Sequence, residues 1–412
     1  MKKHSICIYG YGREGKSTEE YLHTHTHADE IVIYDAKTHP STPDFGSFDQ
    51  IWLSPGIPIE QIPEKFRHRV TTQADVFFSN LNHEDRQKVI AITGSKGKTT
   101  TTVALTHFLN TIGWKAESAG NIGTPLLEAL PKLQHNLVDY LVVEISSFQA
   151  EHIQRSPHTA VFLNLFADHL DRHGNKENYL AAKANLWLHQ VEGDNFIVPE
   201  TTVNNLSDAL KKTAISSPIL PTHALPDKSI LQATHFRENL GVLPTVAQSL
   251  NLKFTSNQLH QTLATIPLPA HRLEYVETVN GLQFYDDAIA VNPTATMAAV
   301  KHFRDDLGYL ILGGKSSGDD PTDLIRLIEE ITPTTKIIVT ESDLSKELKK
   351  IKTRLSLQYV QNLEEAFSLL PLHPSPLKDE KVVLLSPAAK SYDQYKNFEE
   401  KGADFKNLCR QL

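Results

Sequence analysis

Cysteine is nearly absent. Only Cys7 and Cys409 occur among 412 residues, at opposite ends of the chain. Two such residues cannot build a disulfide framework, which excludes the cross-linked secreted class. Long hydrophobic runs are missing too. The apolar stretch behind Met1-Lys2-Lys3 is about five residues long, short of the roughly 7–15 that a secretory signal needs. Nothing approaches the roughly 20 apolar residues of a membrane span. Cytoplasmic residence is the expectation. Nor is there a basic excess: the formal net charge is −8. That balance argues against a nucleic-acid partner, whose phosphates select for positive charge. Internal repeats and low-complexity tracts are also lacking, and a monomer is expected.

What is present is an ordinary globular mixture, 40% hydrophobic and 22% charged, in a chain too long for one core. Two or three domains are therefore predicted. Apolar runs at 5–9, 31–34, 51–53, 89–93, 140–144, 161–164, 309–312, 336–340 and 382–385 alternate with helical patterns. That alternation predicts an α/β fold with parallel sheets. A polar break at 82–87 and the prolines at 266–269 divide the chain into 1–85, 86–267 and 268–412. Residues 215–227, with Pro218, Pro221 and Pro226, read as a surface loop. His23, His25 and His27 alternate with threonines. They read as a solvated connection between a helix and the second strand, because spacing alone does not converge ligands on a metal.

Gly94-Ser95-Lys96-Gly97-Lys98-Thr99-Thr100 follows the run 89–93 and opens a helical stretch, 101–110. A glycine-rich turn from strand to helix offers backbone N–H groups and a favourable dipole end to phosphate. Lys98 is placed to reach the outer phosphates and the Thr99 hydroxyl to ligate magnesium. Glu144, at the end of another apolar run, and Asp168-His169-Leu170-Asp171 with Lys183 add metal and charge apparatus beyond what simple hydrolysis needs. Near the start, Gly10-Tyr11-Gly12-Arg13-Glu14-Gly15 follows the first strand and Asp35 ends the second. The spacing matches a dinucleotide fingerprint, but the same turn serves any diphosphate, and NAD is the weaker reading. Ser54-Pro55-Gly56 adds a turn at the same sheet edge, where open α/β sheets bind ligands.

These motifs together resemble the Mur ligase family, in its D-glutamate-adding branch. The likeness rests on the seven residues 94–100, Gly120-Asn121-Ile122-Gly123, Val143-Glu144-Ile145-Ser146-Ser147-Phe148-Gln149, Leu163-Asn164, Asp168-His169-Leu170-Asp171 and Ala181-Ala182-Lys183. It continues in Ser386-Pro387-Ala388 and the stretch from Tyr392 to Phe398. The resemblance implies three domains: a Rossmann-like first that binds a UDP-sugar, a P-loop ATPase-like second with a parallel sheet, and a Rossmann-like third that offers an amino acid. It implies ATP, two Mg²⁺ sites and amide synthesis through an acyl phosphate, joining D-glutamate to UDP-N-acetylmuramoyl-L-alanine. Closure between domains would exclude water from that intermediate.

By the same resemblance, Gly94, Ser95, Lys96, Gly97, Lys98, Thr99, Thr100, Asn239, Arg272 and Asp287 serve ATP. Thr99, Glu144, His169 and a carbamylated Lys183 hold metal, and Lys98, His169 and Lys183 are the catalytic set. Gly12, Arg13, Asp35, Ser54, Gly56 and Asn121 fall to the sugar nucleotide. Carbamylation needs a free amine, so Lys183 is expected to be buried and depressed in pKa.

The third domain departs from the family. Asp287-Ala288-Ile289-Ala290-Val291-Asn292 stands where the family has Asp-Ser-Lys-Ala-Thr-Asn, so a lysine and a threonine become Ile289 and Val291. Phe236 replaces one asparagine of a His-Asn-x-x-Asn pattern, and Lys315 sits two places before the family's lysine. Lys390, helped by Lys315 and joined by Ser391 and Phe398, is expected to bind the amino acid in their stead. The rival expectations are a different amino acid, or a nucleotide-binding relative that no longer turns over.

Overall fold

A computed structural model of the protein describes residues 4–35, 42–166, 168–204, 206–221, 225, 234–267, 270–316, 318–371 and 381–412. Among the described residues the chain is α/β and forms three sheets, in two compact units, Met1–Pro267 and Leu268–Leu412. The first unit holds two fully parallel sheets. One runs in the order Glu30–Tyr34, Ser5–Tyr9, Gln50–Leu53, Val70–Thr71. The other runs Ala214–Ser217, Asn195–Pro199, Thr159–Phe162, Val89–Thr93, Tyr140–Glu144, Ala116–Gly120. Val89–Thr93 is central and buried at all five positions. Helices cover both faces of such a sheet, which is why this central strand reads as a near-continuous apolar run rather than alternating.

One apolar cluster joins the first two sheets, running from Ile6, Leu22 and Trp52 to Val143, Leu186 and Trp187. The polar break at 82–87 therefore separates sheets that share a core. It also forms a short helix, His83–Gln87, capped by the Asn82 side chain.

The second unit has its own core around Phe284, Ile311, Ile338, Leu385 and Phe405. Its sheet runs Glu274–Val279, Leu282–Asp286, Lys381–Leu385, Leu307–Leu312, Lys336–Thr340, Leu357–Val360 and is parallel except for the antiparallel edge hairpin. The hairpin turns at Asn280-Gly281, both at positive φ, the backbone that Asn-Gly adopts most readily. Asn292 then caps the helix Pro293–Phe303 by accepting from the Ala295 N–H at 2.9 Å.

Two readings are corrected. Residues 215–217 of the stretch read as loop belong instead to the edge strand Ala214–Ser217, paired with Asn195–Pro199, because the prolines begin only at Pro218. Residues 222–224 and 226–227 of that proline-rich stretch lie outside the described residues. His23 and His25 belong to the last turns of the helix Arg13–His25. The His25 ring stacks on Tyr21, at 4.2 Å between centroids.

Candidate functional site

The phosphate loop is shaped by two left-handed glycines and braced by two asparagines. Gly94 and Gly97 have φ of 158° and 84°. A Cβ at Gly97 would meet the Asn239 amide nitrogen at 2.1 Å, so only glycine lets that side chain lie against the loop. Asn164 receives the Lys96 N–H at 2.9 Å, donates to the Lys96 carbonyl at 2.9 Å, and donates to the Asn239 side-chain Oδ1 at 3.3 Å. The Ser95 hydroxyl is tied to the backbone of Phe166 in both directions. Gly97 caps the helix Lys98–Thr111 without supplying a side-chain acceptor, which leaves first-turn N–H groups for an anion. The Thr100 hydroxyl, buried in that turn, has no partner among the described residues.

Two ammonium groups converge on one carbonyl. The Lys98 and Lys183 amines each donate to Gly94 O at 3.0 Å, and Lys98 also to Ser95 O at 3.0 Å. Lys183 is 1% exposed, on the helix Lys176–Leu188, with its amine 4.5 Å above the Tyr179 ring. Burial first, and the Lys98 charge second, push its pKa down to about 7, against the pull of Asp168 and Glu144. Roughly half the amine is then free at neutral pH, against fewer than about one in a thousand for an ordinary lysine. Burial likewise lowers Lys98.

Glu144 ends its strand 1% exposed. Its two carboxylate oxygens accept from the Thr99 hydroxyl at 2.9 Å and the Asn121 amide at 2.8 Å. Both donors are neutral, so neither bond brings a cation that competes with a hard divalent ion for the carboxylate's remaining lone pairs. The residues fit a nucleotide-bound magnesium. The His169 imidazole is half exposed and packs on Phe148 at 5.0 Å and on Tyr179 at 6.4 Å between centroids. Tyr179 thus contacts both His169 and Lys183.

The first sheet offers a second glycine turn. Gly12 precedes the helix Arg13–His25, and the Tyr11 N–H donates to Asp35 at 2.9 Å. The Ser54 hydroxyl donates to Gly10 O at 2.8 Å, and Gly56 is exposed in the turn that follows. The Arg13 guanidinium reaches instead to the carbonyls of Gly120, Asn121 and Gly123.

In the second unit, Lys315 and Lys390 pair through their backbones, at 2.7 and 3.0 Å, and both side chains are exposed. The Ser391 hydroxyl is buried with no partner among the described residues. Phe398 packs against His271 at 6.0 Å. Ile289 and Val291 are half-buried, whereas Ala288 and Ala290 fill the core, so the replaced side chains do not simply become interior packing. Arg272 stands beside Asp287, whose carboxyl burial pushes up to about 7 against hydrogen bonds from Ser386 and the Leu273 N–H.

That shift carries a sign. The Asp287 proton is held in the fold up to about 7 but lost at about 3.8 when unfolded. Stability from this group is complete below 3.8 and disappears as pH rises through 7, on the order of 4 kcal/mol. Asp287→Asn is expected to flatten the fall in urea-unfolding free energy between pH 4 and 7; an unchanged slope refutes it.

Sequence reasoning missed Lys401. On a helix rich in charges it reads as solvated, yet it is 2% exposed and donates to Gly313 O at 2.5 Å, with a pKa that burial lowers to about 8. It missed Tyr179 as well. No local pattern marks either; each becomes visible only when the glycine turn it touches is placed.

The family description "Mur ligase middle domain" matches residues 92–257. The UDP-N-acetylmuramoylalanine--D-glutamate ligase of Geobacillus kaustophilus is 32% identical over 89% of this chain and 84% of its own length. The ligase of the same name from Francisella tularensis subsp. novicida is 30% identical over 99% and 96%. Among solved structures, the MurF ligase of Thermotoga maritima in complex with ADP superposes with a TM-score of 0.57 at 15% identity, covering 100% of this chain and 96% of that one. The UDP-N-acetylmuramate-alanine ligase MurC of the same organism gives 0.58 at 14%, covering 99% of each. The phosphate cradle, its acidic and basic lining and these likenesses converge: the chain belongs to the Mur ligase family.

Proposed function

We propose that the protein is an ATP-dependent, ADP-forming ligase that adds D-glutamate to UDP-N-acetylmuramoyl-L-alanine in peptidoglycan synthesis. The observation that carries the reading is the meeting of Lys98 and Lys183 on Gly94 O beside the Glu144–Thr99 pair. ATP with magnesium supplies the phosphoryl group and screens its charge. The first 85 residues take the sugar nucleotide through Gly12, Asp35, Ser54 and Gly56, residues 86–267 the ATP, and residues 268–412 the amino acid. Gly94 to Thr100 cradle phosphate, with Asn239 bracing the loop and Arg272 and Asp287 serving the nucleotide. The acceptor carboxylate attacks phosphorus, ADP leaves, and the amino-acid nitrogen then displaces phosphate as it loses a proton.

Negative charge gathers in these steps, and a preorganised Lys98 stabilises it without reorganising. Thr99 and Glu144 are the ligands of one magnesium. His169 and Lys183 serve a second, Lys183 as a carbamate, and the depressed amine supports that modification. Lys315, Lys390, Ser391 and Phe398 receive the amino acid; the unpartnered buried Ser391 hydroxyl supports its place there. A requirement for ATP favours the cytoplasm, and the reading needs only a monomer.

A second reading, a ligase for another amino acid, is favoured by the half-buried Ile289 and Val291. Phosphate release with UDP-N-acetylmuramoyl-L-alanine, Mg·ATP and either enantiomer of glutamate decides. D-glutamate is expected to drive release, with Lys390→Ala raising its KM about tenfold, the scale of one lost charged contact. Equal rates with L-glutamate favour the second reading, and release with neither removes both.

A further inference from the structure

Arg13 stands at the mouth of a diphosphate-type turn, where a cation would be expected to face the ligand. The structure gives it another task. Its guanidinium donates to Gly123 O at 3.1 Å, Gly120 O at 3.0 Å and Asn121 O at 2.7 Å, the last residue of the strand Ala116–Gly120 and two of the turn that follows it. Three backbone carbonyls on one planar donor fix that turn in orientation as well as position.

The turn is itself locked to Glu144. The Asn121 N–H donates to Glu144 O at 2.8 Å while its side-chain amide donates to the Glu144 carboxylate at 2.8 Å. Gly120, at φ 106°, lies so close that a Cβ there would meet Glu144 O at 2.3 Å. The second carboxylate oxygen takes the Thr99 hydroxyl at 2.9 Å. A continuous set of hydrogen bonds thus runs from the first helix of the chain, through a glycine turn, to the buried carboxylate beside the phosphate loop.

We infer that Arg13 is a positioning residue for Glu144: it holds the 120–123 turn so that Asn121 aims the carboxylate at a phosphate-bound magnesium. This rests on the proposed ligase site and adds to it a role for a residue of the other sheet. Groups that orient a metal-binding carboxylate typically change metal affinity 10–100-fold when removed. Gln149 reinforces the bridge by donating to Glu14 Oε1 at 2.5 Å, so the first two residues of the helix Arg13–His25 both hold segments that follow strands of the second sheet.

The test separates orientation of the carboxylate from general bracing. ADP binding to the full-length chain is measured calorimetrically with magnesium and with chelator, for wild type, Arg13→Ala and Arg13→Lys. Arg13→Ala is expected to weaken binding of ADP with magnesium about tenfold and to leave binding in chelator unchanged. Arg13→Lys, which keeps a cation but fewer donors, is expected to fall between, and decides alone should the alanine variant not fold. Equal losses with and without metal would show a mere brace and overturn the inference, as would no loss at all. A wild-type chain that gains nothing from magnesium overturns the ligase reading beneath it, a result distinct from either.

Discussion

Lys183→Ala is expected to lower kcat by about 10²–10³, the cost typical of removing one electrostatic group from a preorganised site. Lys183→Arg should fare no better. Arginine keeps a positive charge and cannot take up CO₂, so a requirement for a cation at this place would spare it, whereas a requirement for a carbamate would not. The wild-type rate should fall in CO₂-depleted buffer and return with bicarbonate, and ¹³C-bicarbonate should label one lysine in the folded chain. The burial of the amine, its place on Gly94 O and its depression to about 7 by desolvation and Lys98 are the grounds. Stability should move the other way. An unmodified ammonium at this depth is held by a carbonyl and the Tyr179 ring, so Lys183→Met removes a buried charge and should leave the thermal midpoint unchanged or higher. A variant within a few-fold of wild-type turnover removes Lys183 from the chemistry.

Glu144→Gln is the second large effect. The change is isosteric, and the amide oxygen can still accept from Asn121, but the negative charge is gone. We expect kcat to fall about 10²–10³-fold, with the magnesium concentration for half-maximal rate moved upward. Circular dichroism should stay unchanged and unfolding should shift only modestly, since both hydrogen-bond donors to the carboxylate are neutral while its attraction for Lys98 and Lys183 is lost. Loss of fold with loss of rate would instead make Glu144 a structural residue.

Much of this was legible in the sequence, and the reason is chemical. Strands buried on both faces, such as Val89–Thr93 and Tyr140–Glu144, announce themselves as apolar runs, and glycine turns announce themselves by residue type. Ala116–Gly120 did not, because its sequence AESAG is small and polar; pairing beside Tyr140–Glu144 makes it a strand. Ala214–Ser217 was hidden by the prolines that follow it. Long-range side-chain placements were the least readable. That Arg13 binds carbonyls over a hundred positions away, or that Lys401 lies under Gly313, depends on which turns the fold brings together. The departures at Ile289 and Val291 were plain in the sequence, yet only their half-burial beside the core residues Ala288 and Ala290 shows that they leave a side chain at the surface of the segment.

The account stands on the acceptor carboxylate itself being phosphorylated before the amine attacks. UDP-N-acetylmuramoyl-L-alanine labelled with ¹⁸O in its free carboxylate, turned over with ATP, magnesium and D-glutamate, tests this directly. One labelled oxygen per turnover should appear in the released phosphate; phosphate free of label, formed at the same rate as the amide, would contradict it.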